Sequence, residues 1–485
     1  MSDASGSPDP SHPTTAVVCG GGVAGLAAAV ALAQHGTRVT LVEQRARLGG
    51  RASSITDTAT GHDIDNCQHV VMRACTALLD LYERLGVGDR IRWSKATHLV
   101  DPDHPERVYQ LSADDLPAPL HLVRPMLRLG MFDWKQRLAI SRGMLAVMQA
   151  GRTPSARARW NDTPFSAWLT EHQQPQRAVD LFWRPIIVSA CNEEPERVAT
   201  GYALQVFQDG LLATDDAYQI GLALCPLSDL YDPAAQLIER AGGRVLTQTS
   251  VRAIEAQDRR VTGITLSSGE RLDADAYVLA LPFDVLTGLV PDAIRAIDGR
   301  FQQTEGLIHT PIVGAHLFFR TPGERPLLDV PHLMLPGREV DWLFDKGTVR
   351  LENHPGRLAH IQGVISAADA WMDTSNDQIA DLVEEELRRV LGHTGGRIQR
   401  VHHRVIKERH ATFSIRPGSD QQRPIVSGPT ENLFLAGDWT RTGWPATMEG
   451  AARSGFTAAA AATGASTDAR VWEREPELLY RVLAG

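Results

Sequence analysis

Short apolar runs alternate with polar turns from the start of the chain. Ala16-Val17-Val18-Cys19 is an apolar run that reads as a buried strand. After six residues an alanine-rich stretch, LAAAVALAQHG, has high helix propensity and a glycine stop at Gly36. Arg38-Val39-Thr40-Leu41-Val42 is a second strand-like run and ends on Glu43. Farther on, VTGITLSSGERLDADAYVLALP predicts a hairpin and then a strand ending at Pro282. Near the far end, Asn432-Leu433-Phe434-Leu435-Ala436 predicts a strand that delivers Gly437-Asp438 into a loop. Pro445 then predicts the start of a second alanine-rich helix, because its missing N–H is harmless in a first turn. Strands alternating with helices predict an α/β fold built on a parallel sheet.

The six residues between the first strand and helix are Gly20-Gly21-Gly22-Val23-Ala24-Gly25, a G-x-G-x-x-G element. Glycines there allow a tight turn, close approach to a pyrophosphate and close helix–strand packing. The helix start offers free N–H groups to phosphate. Glu43 follows Gly25 by 18 residues, where a carboxylate accepts ribose hydroxyls. Strand, turn, helix, strand and acid in this order predict a dinucleotide site.

Composition adjusts this picture only in places. The chain has 485 residues, formal net charge −9, 43% hydrophobic and 22% charged positions. These values exclude wholesale disorder, and the acidic balance argues against a nucleic-acid partner. Five cysteines without C-x-x-C spacing predict neither a disulfide framework nor a metal site, and point to the cytoplasm. Residues 1–14 read as a disordered leader.

Arg45-Ala46-Arg47-Leu48-Gly49-Gly50-Arg51, directly after Glu43, resembles the basic double-glycine element of the flavin amine oxidase and phytoene desaturase superfamily. Gly437-Asp438 and the helix after it resemble that superfamily's second cofactor motif. The resemblance implies FAD, held in a Rossmann-like, discontinuous GR2-type domain (15–90, 226–290 and 405–470). An inserted α+β substrate domain would occupy 91–225 and 291–404, with a tail at 471–485. The cofactor residues so implied are Gly20, Gly22, Val23, Ala24, Gly25, Glu43, Gln44, Arg45, Gly49, Gly50 and Arg51. Gln68, His69, Val251, Gly437, Asp438, Ala446, Thr447 and Met448 complete the set. Val251 would lie over the adenine, and backbone near Thr447, Met448 and Glu449 would support negative charge on reduced flavin.

Further motifs narrow the likeness: Asp65-Asn66-Cys67-Gln68-His69-Val70, Trp183 with Pro185 and Asn192, and Pro311 to Leu317. Asp341 to Asp345, Ile365 to Trp371, Val405 to Ser414, and GDWTRTGWPATMEGAARSG follow. Together they resemble the hydroxysqualene dehydroxylases of bacterial hopanoid pathways. Cys67 departs from a more usual glycine, and Asn192-Glu193-Glu194 from Asn-Thr-Pro. The likeness implies reductive loss of an allylic hydroxyl, with hydride from flavin N5 and a polyprenyl substrate, hydroxysqualene, delivering squalene. It also implies other squalene-pathway enzymes as partners.

Loss of hydroxyl needs a proton donor beside the flavin. His69 is the first candidate and Glu193 the second. Lys407 and Arg409 read either as an exposed strand face or as ordering the flavin-side loop. A carotenoid-type desaturase, an amine oxidase-like flavoenzyme and a prenyl-lipid chaperone like the GDP dissociation inhibitors remain open alternatives.

Local charge differs from the average. Pro117 to Trp160 carries eight Lys+Arg against one acid, Asp133, interleaved with Leu, Met, Phe and Trp. That pattern predicts a pair of helices docked on an anionic membrane surface, peripheral at the inner face of the cell membrane.

Overall fold

The computed structural model describes residues 13–321, 326–349, 358–392, 398–465 and 472–484. Most of the expected leader, residues 1–12, lies outside them. Five parallel strands form the first sheet, in the spatial order Arg244–Leu246, Arg38–Val42, Thr15–Cys19, Ala276–Leu279 and Leu433–Leu435. This is the order of a dinucleotide-binding sheet, with the strand of lowest number at its centre.

The helix Val23–Gln34 is buried from Val23 to Ala33. The sheet covers one side of it and the helix Met448–Thr463 covers the other. Two alanine-rich surfaces permit this close approach. A Cβ at Gly455 would stand 2.1 Å from the Ala24 carbonyl oxygen, so only glycine fits at the crossing. The second helix begins at Met448 and not at Pro445, because the Thr447 hydroxyl accepts the Gly450 N–H at 3.2 Å and acts as N-cap. Glu449 turns away from the cleft and receives Ala77 N–H at 3.1 Å and Leu78 N–H at 2.9 Å.

A second sheet has seven strands, ordered Gln399–Phe413, His309–Arg320, Ala359–Ile365, Trp342–Asp345, His332–Met334, Thr97–Val100 and Val108–Leu111. Its pairings are antiparallel except where Met334 meets Leu99. Residues 405–413, expected with the cofactor segments, belong to this sheet because they pair along His309–Arg320. The helix Asn376–Leu391 covers one of its faces, burying Ile379, Ala380, Val383 and Leu387 against Leu317 and Ile361.

The basic segment Pro117 to Trp160 forms the short helix Val123–Leu127, the long helix Trp134–Gln149 and the short helix Pro154–Ala158. Asp133 and Gln136 close a capping box at the start of the long helix. Leu120, Val123, Leu127, Trp134, Leu138 and Leu145 are exposed, Trp134 by 68%. Arg128, Lys135 and Arg142 stand exposed among them. Arg152 and Arg157 do not join this face: both pair with Asp209, at 2.6 and 2.8 Å. Arg137 is also committed, to the Leu129 carbonyl at 3.0 Å. The expected tail holds a helix, Leu478–Ala484, that buries Tyr480 and packs against Trp134–Gln149. No helix among the described residues is long and apolar enough to cross a membrane.

Candidate functional site

A cleft of about 380 Å³ opens where the central strands of the parallel sheet end. Ligands bind at this place in open α/β sheets, since two loops diverge there. Every expected cofactor residue lines it except Gly25, which is packed beneath the turn.

The first wall is the glycine turn. Gly22 caps the Val23–Gln34 helix without any side-chain hydrogen bond, so the N–H groups of the first helical turn lack a protein cap. Uncapped amides at a positive dipole end suit a pyrophosphate. The Glu43 carboxylate, 6% exposed, accepts Gly21 N–H through Oε2 and Arg45 N–H through Oε1, each at 2.7 Å. It therefore fixes the turn as well as facing the cleft. Beside it, Thr249 N–H donates to the Glu43 carbonyl at 2.9 Å, which brings Val251 to the same wall.

Arg51 joins the two sheets. Nη1 donates to the Ala411 carbonyl and Nη2 to Asp438 Oδ1, both at 2.7 Å. Thr447 and Met448 close the opposite end, at the start of the second alanine-rich helix.

The loop carrying Gln68 and His69 is held from below. Buried Lys346 donates to Asp65 Oδ2 at 2.8 Å and to Gln68 Oε1 at 2.7 Å. His69 Nδ1 lies 2.9 Å from the Cys67 carbonyl, an acceptor only, so Nδ1 carries the proton in the neutral ring. Nε2 has no hydrogen-bond partner among the described residues. Burial pushes the His69 pKa below its ordinary value, against a smaller upward pull from the hydrogen bond to Cys67.

Glu193 stands elsewhere. It is fully buried and does not line the cleft. Its carboxylate accepts Thr310 Oγ1 at 2.8 Å, Arg197 Nε at 2.7 Å and the Ser414 hydroxyl. With every donor around it spent on structure, it does not face the reacting region. Asn192, its neighbour, does reach the cleft wall, where its amide bonds Thr412 Oγ1 at 2.8 Å.

One acid was missed by sequence reasoning. Glu408 lines the cleft opposite Ile312 and accepts Asn66 Nδ2 at 3.0 Å through Oε2 alone. Lys407 and Arg409, on the other face of the strand, reach the Met372 carbonyl. The alternation of strand side chains was the available signal. Among the described residues Glu408 Oε1 and His69 Nε2 have no hydrogen-bond partner, and the same cleft is lined by Leu281, Val285, Leu289 and Ile312.

The chain shares its fold with solved oxidoreductases. An oxidoreductase from Methanosarcina mazei superposes with a TM-score of 0.69 at 14% identity, covering 91% of this chain and 99% of that one. A redesigned putrescine oxidase superposes at 0.67 with 18% identity, covering 92% and 98%. Among curated proteins, the hydroxysqualene dehydroxylase of Rhodopseudomonas palustris is 29% identical over 455 residues, spanning 92% of this chain and 97% of its own. The 15-cis-phytoene desaturase of Synechococcus elongatus is 27% identical over 453 residues, spanning 90% and 93%. Residues 23–463 match the profile of the flavin containing amine oxidoreductases, so this chain belongs to that family and is an FAD-dependent oxidoreductase.

Proposed function

We propose that the enzyme reductively removes the allylic hydroxyl of hydroxysqualene to give squalene and water. The observation that carries this reading is a pair of unspent polar atoms in the lining of the cleft. His69 Nε2 and Glu408 Oε1 offer unspent hydrogen-bonding capacity to a hydroxyl, set in an apolar wall that suits a hydrocarbon chain. A substrate without polar atoms would leave both unpaired at a desolvation cost. The R. palustris relative supports the same assignment by name and coverage. A desaturase reading has the S. elongatus likeness behind it and runs hydride transfer in the opposite direction.

The first-turn amides at Val23 and Ala24, with Arg45, Gly50 and Arg51, would hold the FAD pyrophosphate. Glu43 would hold a ribose, Val251 the adenine, and the Thr447–Met448 backbone the flavin's pyrimidine edge. Bound and reduced, FAD supplies the hydride. The chain supplies the proton, the negative charge and the exclusion of water. His69 in its imidazolium form gives a proton to the leaving hydroxyl through Nε2, and water departs. The Glu408 carboxylate stabilises the positive charge that develops on the allylic carbon. The apolar wall keeps bulk water from that carbon.

Anaerobic single turnover tests the reading. Photoreduced holoenzyme mixed with hydroxysqualene should yield squalene as the flavin reoxidises. Conversion of phytoene by the oxidised enzyme, with no squalene from the reduced one, would overturn it. A proton donor with a depressed pKa gives a rate that rises as pH falls through that pKa, below the ordinary histidine value. His69→Gln should retain FAD, lose this limb and turn over about 10²-fold more slowly. Full-rate turnover by that variant would remove His69 from the mechanism.

We also propose that the face carrying Trp134 and Leu138 docks on an anionic bilayer, from which so insoluble a substrate must come. Exposed apolar side chains beside Arg128, Lys135 and Arg142 have the composition of an interfacial surface. The wild-type protein should float with phosphatidylserine vesicles at low salt, and Trp134→Glu/Leu138→Glu should stay at the bottom of the gradient. Equal flotation of both proteins would dismiss this face.

A further inference from the structure

We propose that Asp284, His309 and His410 form a binding site for one divalent transition-metal ion of the zinc class, at the rim of the cleft. The cysteine pattern gave no sign of it, because its donors are imidazole and carboxylate from three distant segments. Asp284 sits in the first turn of the helix Phe283–Leu289, His309 begins the strand His309–Arg320, and His410 lies in Gln399–Phe413.

A register shift between Thr310 and Ile312 leaves His410 outside the regular ladder. Such irregularities re-aim a side chain. Here the His410 ring lies over His309, with centroids 4.1 Å apart and planes within 3°. Asp284 Oδ1 is 3.5 Å from His309 Nε2, and Oδ2 is 3.3 Å from His410 Nδ1. The donor atoms all lie within 4.8 Å of one another.

Each imidazole nitrogen already stands beside one oxygen of Asp284 at about the spacing that two ligands of one small ion keep. A tetrahedral ion with bonds of 2.0–2.1 Å holds its donors about 3.3 Å apart. His309 is fixed by stacking on Phe283 at 4.2 Å, and its Nε2 reaches Asp284 Oδ1 only at the long distance of 3.5 Å. Two nitrogens and one carboxylate oxygen favour zinc, cobalt, nickel or copper over magnesium and calcium. Parallel rings do not share a plane, so binding turns His410 about χ2, a movement its 58% side-chain exposure allows. Three protein donors leave the fourth position to water.

The ion would clasp the Phe283–Leu289 helix to the two strands. Val285 and Leu289 of that helix, and Ala411 beside His410, line the cleft. The inference does not depend on the identity of the substrate.

The test is calorimetric titration of chelator-treated, FAD-loaded full-length protein with Zn²⁺, repeated with Co²⁺ read by its absorption to the red of the flavin bands. The expected result is one equivalent bound, a tetrahedral Co²⁺ spectrum, and a melting temperature raised by Zn²⁺. His410→Ala and Asp284→Asn should each weaken binding at least tenfold and abolish the thermal shift, with FAD content unchanged. Absence of stoichiometric binding, or equal binding by both variants, would overturn the site. His309→Ala is the less useful variant because its ring also packs on Phe283.

Discussion

Gly25→Ala will emerge from purification without flavin. A Cβ at this position would stand 1.8 Å from the Gly20 carbonyl oxygen, 3.0 Å from its carbon and 3.2 Å from the Ala280 side chain. Backbone is the obstacle, so no rotamer change relieves it. Ordinary overpacking costs about 1–3 kcal/mol, and this contact exceeds that range because the glycine turn itself must open. The turn carries the first-turn amides and the Gly21 N–H that Glu43 binds, so the cofactor site is lost with it. Flavin absorbance and thermal melting report the result. Gly88→Ala, whose Cβ meets nothing within 4 Å, is the control and should keep both. A yellow, normally stable Gly25→Ala protein would show that the turn can be rebuilt.

Arg51→Ala will lose flavin for a different reason. Its guanidinium holds Ala411 of the seven-stranded sheet and Asp438, in the loop after the last parallel strand, at once. Asp438 is 7% exposed at its side chain, and without Arg51 its carboxylate stays buried and unpaired. Breaking a fully buried pair costs about 3–5 kcal/mol. Arg51 is 39% exposed, and solvent screening brings the expected loss down to about 1–2 kcal/mol. That corresponds to flavin retention weaker by roughly tenfold, since about 1.4 kcal/mol is one decade. Arg51→Lys keeps the charge but cannot span both acceptors, so it should recover only part of the affinity. Dialysis against dilute buffer, followed by flavin absorbance, distinguishes the three proteins. Identical flavin retention in all three would mean that Arg51 binds only protein.

The cofactor half of the site was legible because its chemistry is local in sequence. Gly20 to Gly25, Glu43 and Arg51 lie within about thirty residues, and the turn that orders them is written in those same residues. The catalytic half was less legible because tertiary pairing decides it. Glu193 reads as a loop acid, but Asn192 adopts φ 53 at the end of its helix and turns the next side chain inward to Thr310 and Ser414. Glu408 hid between two basic neighbours on the opposite strand face, where the nearby register shift disturbs simple alternation. In the basic segment, a charge count could not see that Arg152 and Arg157 both turn to Asp209, about fifty residues away. The exposed apolar face was legible in composition, and the structure removed three of its eight cations.

The order of strands in the parallel sheet sets a timetable for the protein's birth. Its central strand is made first, at Thr15–Cys19, and its last edge at Leu433–Leu435. At a synthesis rate of roughly 5–20 residues per second, about 20–80 s separate the two. Throughout that interval the Val23–Gln34 helix waits for the Met448–Thr463 helix that will cover it. A nascent chain can therefore form the glycine turn early but cannot enclose a flavin until Met448–Thr463 has been made. The Val23–Gln34 helix, buried along nearly its whole length in the finished fold, is the surface that a ribosome-associated chaperone would have to guard.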